Sequence, residues 1–190
     1  MNLTGEKVIL RTMEKEDRDM FSDLIKDPDT GKITGGYGCP LSYDRQMDWF
    51  GPLADSAGGL RRVIADRECP QKALGVIALS DIGPDRETGE LYIKVVKSAR
   101  RKGFGEDAVR LLISYGFGGL GLNCVESHIL ERNIASRRLF EKCGFRLEET
   151  CRSSLHGSDV GEKVCCYRIW ADRSPESPRP EPETSERDSI

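Results

Sequence analysis

The chain has 190 residues, 32% of them charged and 7% aromatic, with a net charge of −3. That length suffices for one domain with a buried core, and no stretch approaches the roughly 18 consecutive apolar residues of a membrane-spanning helix. Residues 172–190 hold six acids and three arginines, so the negative charge lies there and residues 1–171 balance; a neutral body argues against general nucleic-acid affinity.

Residues 7–12 read as a first strand, with Val8, Ile9 and Leu10 apolar. Residues 14–25 place Met20, Phe21, Leu24 and Ile25 on one side of a helix, and Asp27-Pro28-Asp29 ends it because proline and its predecessor resist helical geometry. Residues 30–40 are rich in glycine and read as a loop; Ser42 caps a helix reaching about residue 57, interrupted by Pro52. Residues 60–66 and 73–80 are strands, the second apolar without alternation, as a strand covered on both faces should be. A third strand, 90–96, leads into Arg100-Arg101-Lys102-Gly103-Phe104-Gly105. A helix follows at 103–117, with Glu106 and Asp107 in its first turn, where acids suit the dipole. Residues 125–130 are a strand, and 134–143 a helix with Asn133 at the N-cap and Gly144 as its stop. Ala135, Leu139, Phe140 and Cys143 make that helix's expected buried stripe. Two closing strands, 145–152 and 163–171, pair across a loop at 156–159. The tail, 172–190, alternates proline with serine and charge and reads as disordered.

Seven cysteines form no CxxC pair, and only two histidines, His128 and His156, are present. With no apolar leader, the expectation is a cytoplasmic protein with reduced thiols and no metal site.

The chemistry concentrates at residues 100–105. Glycines that open a helix expose unpaired backbone N–H groups at the positive end of the dipole, and three cations precede them. The pattern suits a pyrophosphate. Gly103-x-Gly105-x-x-Ala108 also fits a dinucleotide fingerprint, with Glu126 as ribose ligand. Against that, six residues separate strand from glycine, too few βα units follow, and a redox fingerprint does not call for three cations.

In order, the strand, Arg-x-x-Gly-x-Gly, helix, strand, Asn133-x-x-Ser136 and Lys142-Cys143-Gly144-Phe145 resemble the GNAT superfamily of acyl-CoA-dependent N-acetyltransferases, over roughly residues 60–170. Tyr115-Gly116-Phe117 and Gly144-Phe145-Arg146 are similar to its ribosomal-protein-alanine and polyamine branch. The resemblance implies an α/β (α+β) fold: a mixed, mostly antiparallel sheet of six to seven strands, splayed between the fourth (90–96) and fifth (125–130), with about four helices. It implies acetyl-CoA as cofactor, with the backbone of Val95 and Val96 pairing with the pantetheine arm and Val96 N–H serving the oxyanion. Arg101, Lys102, Gly103, Phe104 and Gly105 would bind the pyrophosphate, Arg100 holds a family Gln/Arg position, and Asn133 would bond the cofactor near the splay. Arg138 and Lys142 read as adenosine-phosphate contacts or plain solvated cations.

Direct amine attack on a thioester needs a proton acceptor and a proton for the departing thiolate. Glu90 is the first candidate base, Asp81 the second; Glu126 and His128 share one strand face and are further candidates. Phe140 stands where many family members have an acidic tyrosine, which leaves Ser136 or water to serve the thiolate. The acceptor is a primary amine: a protein N-terminus, polyamine, amino sugar or aminoglycoside. Tyr37, Asp48 and Trp49 suit a cationic or sugar-like acceptor or a core equally well. A non-catalytic acyl-CoA-binding regulatory module is the alternative. No nucleic acid or membrane partner is expected, and C-terminal edge strands would serve a homodimer by analogy.

Overall fold

The computed structural model describes residues 1–27, 59–82, 87–152 and 162–172. The helix expected at 42–57, the loops at 30–40 and 156–159, and the tail from 173 lie outside them. In chain order the elements are β1 (Leu3–Thr4), β2 (Val8–Arg11), a 3₁₀ turn (Lys15–Asp17), α1 (Arg18–Lys26), β3 (Leu60–Asp66), β4 (Ala73–Ser80), β5 (Thr88–Val95), a second 3₁₀ turn (Lys97–Ala99), α2 (Phe104–Gly118), β6 (Cys124–Leu130), α3 (Ile134–Lys142), β7 (Arg146–Arg152) and β8 (Lys163–Trp170).

One eight-stranded sheet runs β1-β2-β3-β4-β5-β6-β8-β7. Every pair is antiparallel except β5 and β6. The expected mixed sheet is therefore present, with the two-residue β1 added at one edge. As its unbroken apolar run predicts, β4 is central and buried from Leu74 to Leu79. The parallel pair needs a crossover, which α2 supplies. It buries Ala108, Val109, Leu112, Ile113 and Gly116. Gly116 brings α2 close to the sheet: a methyl there would sit 3.4 Å from the side chains of Leu79 and Leu122. α3 lies beside α2, joined by Arg110 to the Lys142 carbonyl at 2.6 Å.

Side chains alternate across β5. Ile93 and Val95 lie under the start of α2, next to Gly105. Glu90, Tyr92 and Lys94 therefore occupy the opposite face. The N-terminal end is locked by a buried ion pair: Arg11 donates to both oxygens of Asp17 at 2.8 and 2.6 Å, and Asp17 also accepts from Glu14 N–H at 2.8 Å.

α3 corrects one expectation. Phe140 and Cys143 are buried, but Ala135 is exposed. It lies in the first helical turn, ahead of the point where α3 meets the sheet, so periodicity alone extends the stripe one turn too far.

Candidate active site

The loop leaving β5 turns sharply. Arg101 has φ 61° and Gly103 has φ 86°. No side chain caps α2, and its first backbone bond runs from Asp107 N–H to the Gly103 carbonyl at 3.0 Å. The N–H groups of Phe104, Gly105 and Glu106 thus have no acceptor among the described residues. Both acids of this turn face away from it. Glu106 pairs with Lys142 and Arg110, whose hydrogen bonds hold its carboxyl below the usual range, the Lys142 bond most. The Asp107 carboxylate is taken by the N-terminal hairpin. Arg101 and Lys102 are exposed. Three open donors, the dipole and two exposed cations are thus gathered at one helix start, an arrangement that favours an anion.

Arg100 does something else. Its Nε donates to the Val95 carbonyl at 3.0 Å, its guanidinium pairs with Asp27 at the end of α1, and its backbone N–H donates to Lys97 O at 3.3 Å. It fastens α1 to the end of β5 and sets the direction of the chain into the loop.

β5 and β6 pair only through Thr88↔Cys124, Gly89↔Val125 and Glu90↔Glu126, and then part. The backbone groups this frees follow from alternation. Val96 N–H donates to Leu74 O at 2.9 Å, toward β4. The groups of Ile93 and Val95 therefore point the other way, into the gap. This corrects the expectation for Val96: its N–H is spent on the sheet and is no oxyanion donor. Ile93 is the residue that sequence reasoning missed. Its signal was the two-residue period, which becomes usable once the register is known. Because Arg100 occupies the Val95 carbonyl, the open groups are the N–H and C=O of Ile93 and the N–H of Val95.

Asn133 caps α3, its Oδ1 accepting from Ser136 N–H at 3.1 Å. Its amide NH₂ remains for another partner. Half-buried Ser136 sits one turn before Leu139, whose side chain reaches to within 3.6 Å of a methyl built on Gly105. Ser136 thus shares the face of α3 turned toward the loop. Phe140 is 2% exposed and packs edge-on against Phe145 with ring centres 4.8 Å apart. It is a core residue.

At the closed end of the gap, on the face away from α2, Glu90 Oε1 and His128 Nδ1 lie 3.0 Å apart. Their side chains are 24% and 30% exposed, enough to meet a ligand. His128 is pushed up to about 10, mostly by hydrogen bonding to Cys166, then to Glu90, against the cost of burial. Both hydrogen bonds favour the protonated ring, which faces the Glu90 carboxyl group. Glu126, two residues back, pairs with Arg168 at 3.0 Å. Asp81 is exposed at the end of β4, with φ 54°, and accepts from Ser80 Oγ at 3.1 Å. Register brings it near Glu90, since Ser80 lies opposite Glu90. Tyr37, Asp48 and Trp49 fall outside the described residues.

The fold matches solved structures closely. A spermidine N-acetyltransferase from Vibrio cholerae, in complex with CoA and spermine, superposes with a TM-score of 0.71 at 20% identity, over 86% of this chain and 95% of that one. A GNAT-family acetyltransferase from Bacillus anthracis gives 0.75 at 17% identity, over 90% and 98%. By sequence, the N-acetyltransferase YoaA of Bacillus subtilis is 27% identical over 88% of this chain and 95% of its own length. The human alpha/beta-tubulin-N-acetyltransferase 9 is 27% identical over 80% of this chain and 78% of its own. Residues 7–146, most of the chain, match the acetyltransferase (GNAT) domain. The chain belongs to the GNAT family and is an acetyl-CoA-dependent N-acetyltransferase.

Proposed function

We propose that this enzyme moves an acetyl group from acetyl-CoA directly to a primary amine in a ternary complex. One observation carries the reading: the open edge of β5 runs straight into a helix start with three unpartnered N–H groups. An extended pantetheine arm would add to that edge through Ile93 and Val95, as a strand does. Its pyrophosphate would then meet Arg101, Lys102, Gly103, Phe104 and Gly105. Val96 contributes through the chain direction it sets, and Arg100 by holding Val95. The Asn133 amide and the Ser136 hydroxyl line the side nearer α3. The thioester would lie back along β5, toward Glu90, whose carboxylate serves proton removal directly or through the imidazole it holds; Asp81 is the second carboxylate within the same region.

The acceptor enters on the face carrying Glu90 and Glu126, whose carboxylates can accept hydrogen bonds from its amine. A polyamine or a protein N-terminus fits that chemistry, and relatives bear the names of spermidine and tubulin N-acetyltransferases. Tyr37, Asp48 and Trp49 are further residues we assign to the acceptor, on residue chemistry alone. We assign residues 1–171 to the catalytic domain and 172–190 to a tail outside it, and place the protein in the cytoplasm without nucleic acid or membrane partners. The exposed edge strand β7 offers a homodimer contact.

Incubation with acetyl-CoA and a panel of spermidine, spermine, amino sugars, an aminoglycoside and N-terminal peptides, read by mass spectrometry, tests this. An acetylated product is expected from at least one cationic primary amine. Tight coenzyme A binding with no modified acceptor would favour a non-catalytic acyl-CoA module, for which Phe140 in place of tyrosine is the supporting observation.

A further inference from the structure

The proton donor for the departing thiolate is missing from the expected place. Phe140 has no hydroxyl and is sealed into the core. The structure holds another group that carries a proton at the gap. His128 lies on β6 two residues past Glu126, where pairing with β5 has just ended. It reaches back across the opening to Glu90, Nδ1 to Oε1, at 3.0 Å. A carboxylate bonded to Nδ1 fixes the ring and makes Nε2 the atom that can exchange a proton, in competition with the hydrogen bond to Cys166.

We propose that Glu90 and His128 act as one proton-handling dyad, with Glu90 orienting the imidazole and His128 moving the proton. This rests on the transferase reading above. The amine lone pair attacks the thioester carbonyl and forms the C–N bond. The C–S bond breaks with its electron pair on sulfur. Imidazolium Nε2–H passes its proton to that sulfur, and the neutral ring takes one back from the acylated nitrogen. One proton moves from nitrogen to sulfur, and His128 returns to its starting state. Among the described residues, the charged and titratable groups around His128 are Glu90 on β5, Glu126 on its own strand, and Cys166 and Arg168 on β8. Arg168 is matched by Glu126. Cys166, directly opposite His128 and 1% exposed, competes for the ring.

Two measurements decide. First, the full chain labelled with ¹⁵N on its two histidines is titrated by NMR without an acceptor. His128 is expected to stay doubly protonated past pH 8 in the wild type and to titrate at lower pH in Glu90→Gln; titration near pH 6.5 in both would overturn the dyad. Second, kcat is compared at saturating acetyl-CoA. His128→Asn can still donate to Glu90 but cannot carry a proton. It is expected to lose about 100- to 1,000-fold in kcat, as much as His128→Ala, with KM for acetyl-CoA within about threefold. Near-full activity in folded His128→Asn would reduce His128 to a positioning residue and overturn the proposal. A Cys166→Ala loss as deep as that of His128→Asn would move the proton path to the thiol and overturn it as well. The NMR titration needs no turnover, so a high-titrating His128 in a protein that acetylates nothing would sink the transferase reading alone.

Discussion

Asp107 Oδ2 accepts from the backbone N–H groups of Lys7 and Val8 at 2.7 and 3.0 Å. Its other oxygen takes Glu6 N–H at 3.2 Å. Gly5 makes this approach feasible, since a methyl there would sit 2.5 Å from Oδ2. The hairpin of β1 and β2 is thereby pinned to the first turn of α2. Lys7 Nζ also donates to Lys102 O at 3.2 Å, inside the anion loop. Asp107→Ala strands these donors and is expected to cost about 1–3 kcal/mol, a drop of several degrees in Tm. It should also weaken coenzyme A binding, because the loop loses its support. Unchanged thermal unfolding would show that the pin contributes nothing.

Two glycines of the loop should separate folding from binding. A methyl on Gly105 meets only ordinary contacts, 3.6–3.8 Å from Leu139, Val95 and Ile93. Gly105→Ala should therefore fold at least as well, by about 0.5–1 kcal/mol of helix propensity, yet bind coenzyme A at least tenfold more weakly because the methyl keeps the phosphate off the backbone. Gly103 at φ 86° is different: Gly103→Ala should lose about 1–2 kcal/mol in urea unfolding. Equal calorimetric affinities for Gly105→Ala and wild type would place the anion elsewhere.

The Arg11–Asp17 pair is buried, with Asp17 fully covered. Arg11→Met leaves that carboxylate without its main partner and should cost about 3–5 kcal/mol by chemical denaturation. Arg11→Met combined with Asp17→Leu should recover much of the loss. A double variant no better than the single one would contradict this reading.

The pairing of His128 has a pH signature in stability. The group rises from an ordinary 6.5 to about 10 on folding. The folded state therefore binds its proton more tightly, and the contribution is complete below about pH 6.5 and lost as pH climbs through 10. Urea midpoints should fall over that alkaline window more steeply in the wild type than in His128→Asn. Parallel slopes would contradict the pairing.

Cysteine reactivity follows burial. Cys69 and Cys151 are exposed, whereas burial pushes Cys124 up to about 12 and Cys143 up to about 11. Thiol-specific labelling of the native protein, mapped by mass spectrometry, should mark Cys69 and Cys151 and spare Cys124 and Cys143 until denaturant is added. Early labelling of Cys143 would mean that α3 opens locally.

Much of this was legible in sequence because it is local. The unbroken apolar run of β4, the glycines before α2 and the Asn133 cap each sit within a few residues of the feature they predict. The errors arise where register decides. Asp107 suits a helix dipole in sequence, but the hairpin that takes its carboxylate is a hundred positions away. Val96 looks available until pairing with Leu74 shows which way its N–H points. Glu90 and His128 read as separate candidates because only the register, with Glu90 opposite Glu126, brings their side chains within reach. Arg100 looks like a cofactor cation, and its actual partners, Val95 and Asp27, join only when α1 packs beside β5.

The most direct test follows backbone amides while acetyl-CoA is titrated into ¹⁵N-labelled protein. The largest shifts are expected on Ile93, Val95, Gly103, Phe104, Gly105 and Glu106, with changes at Glu90 and His128 that are larger for acetyl-CoA than for coenzyme A lacking the acetyl group. Saturable binding that leaves those amides unmoved, or shifts gathered elsewhere on the sheet, would contradict it.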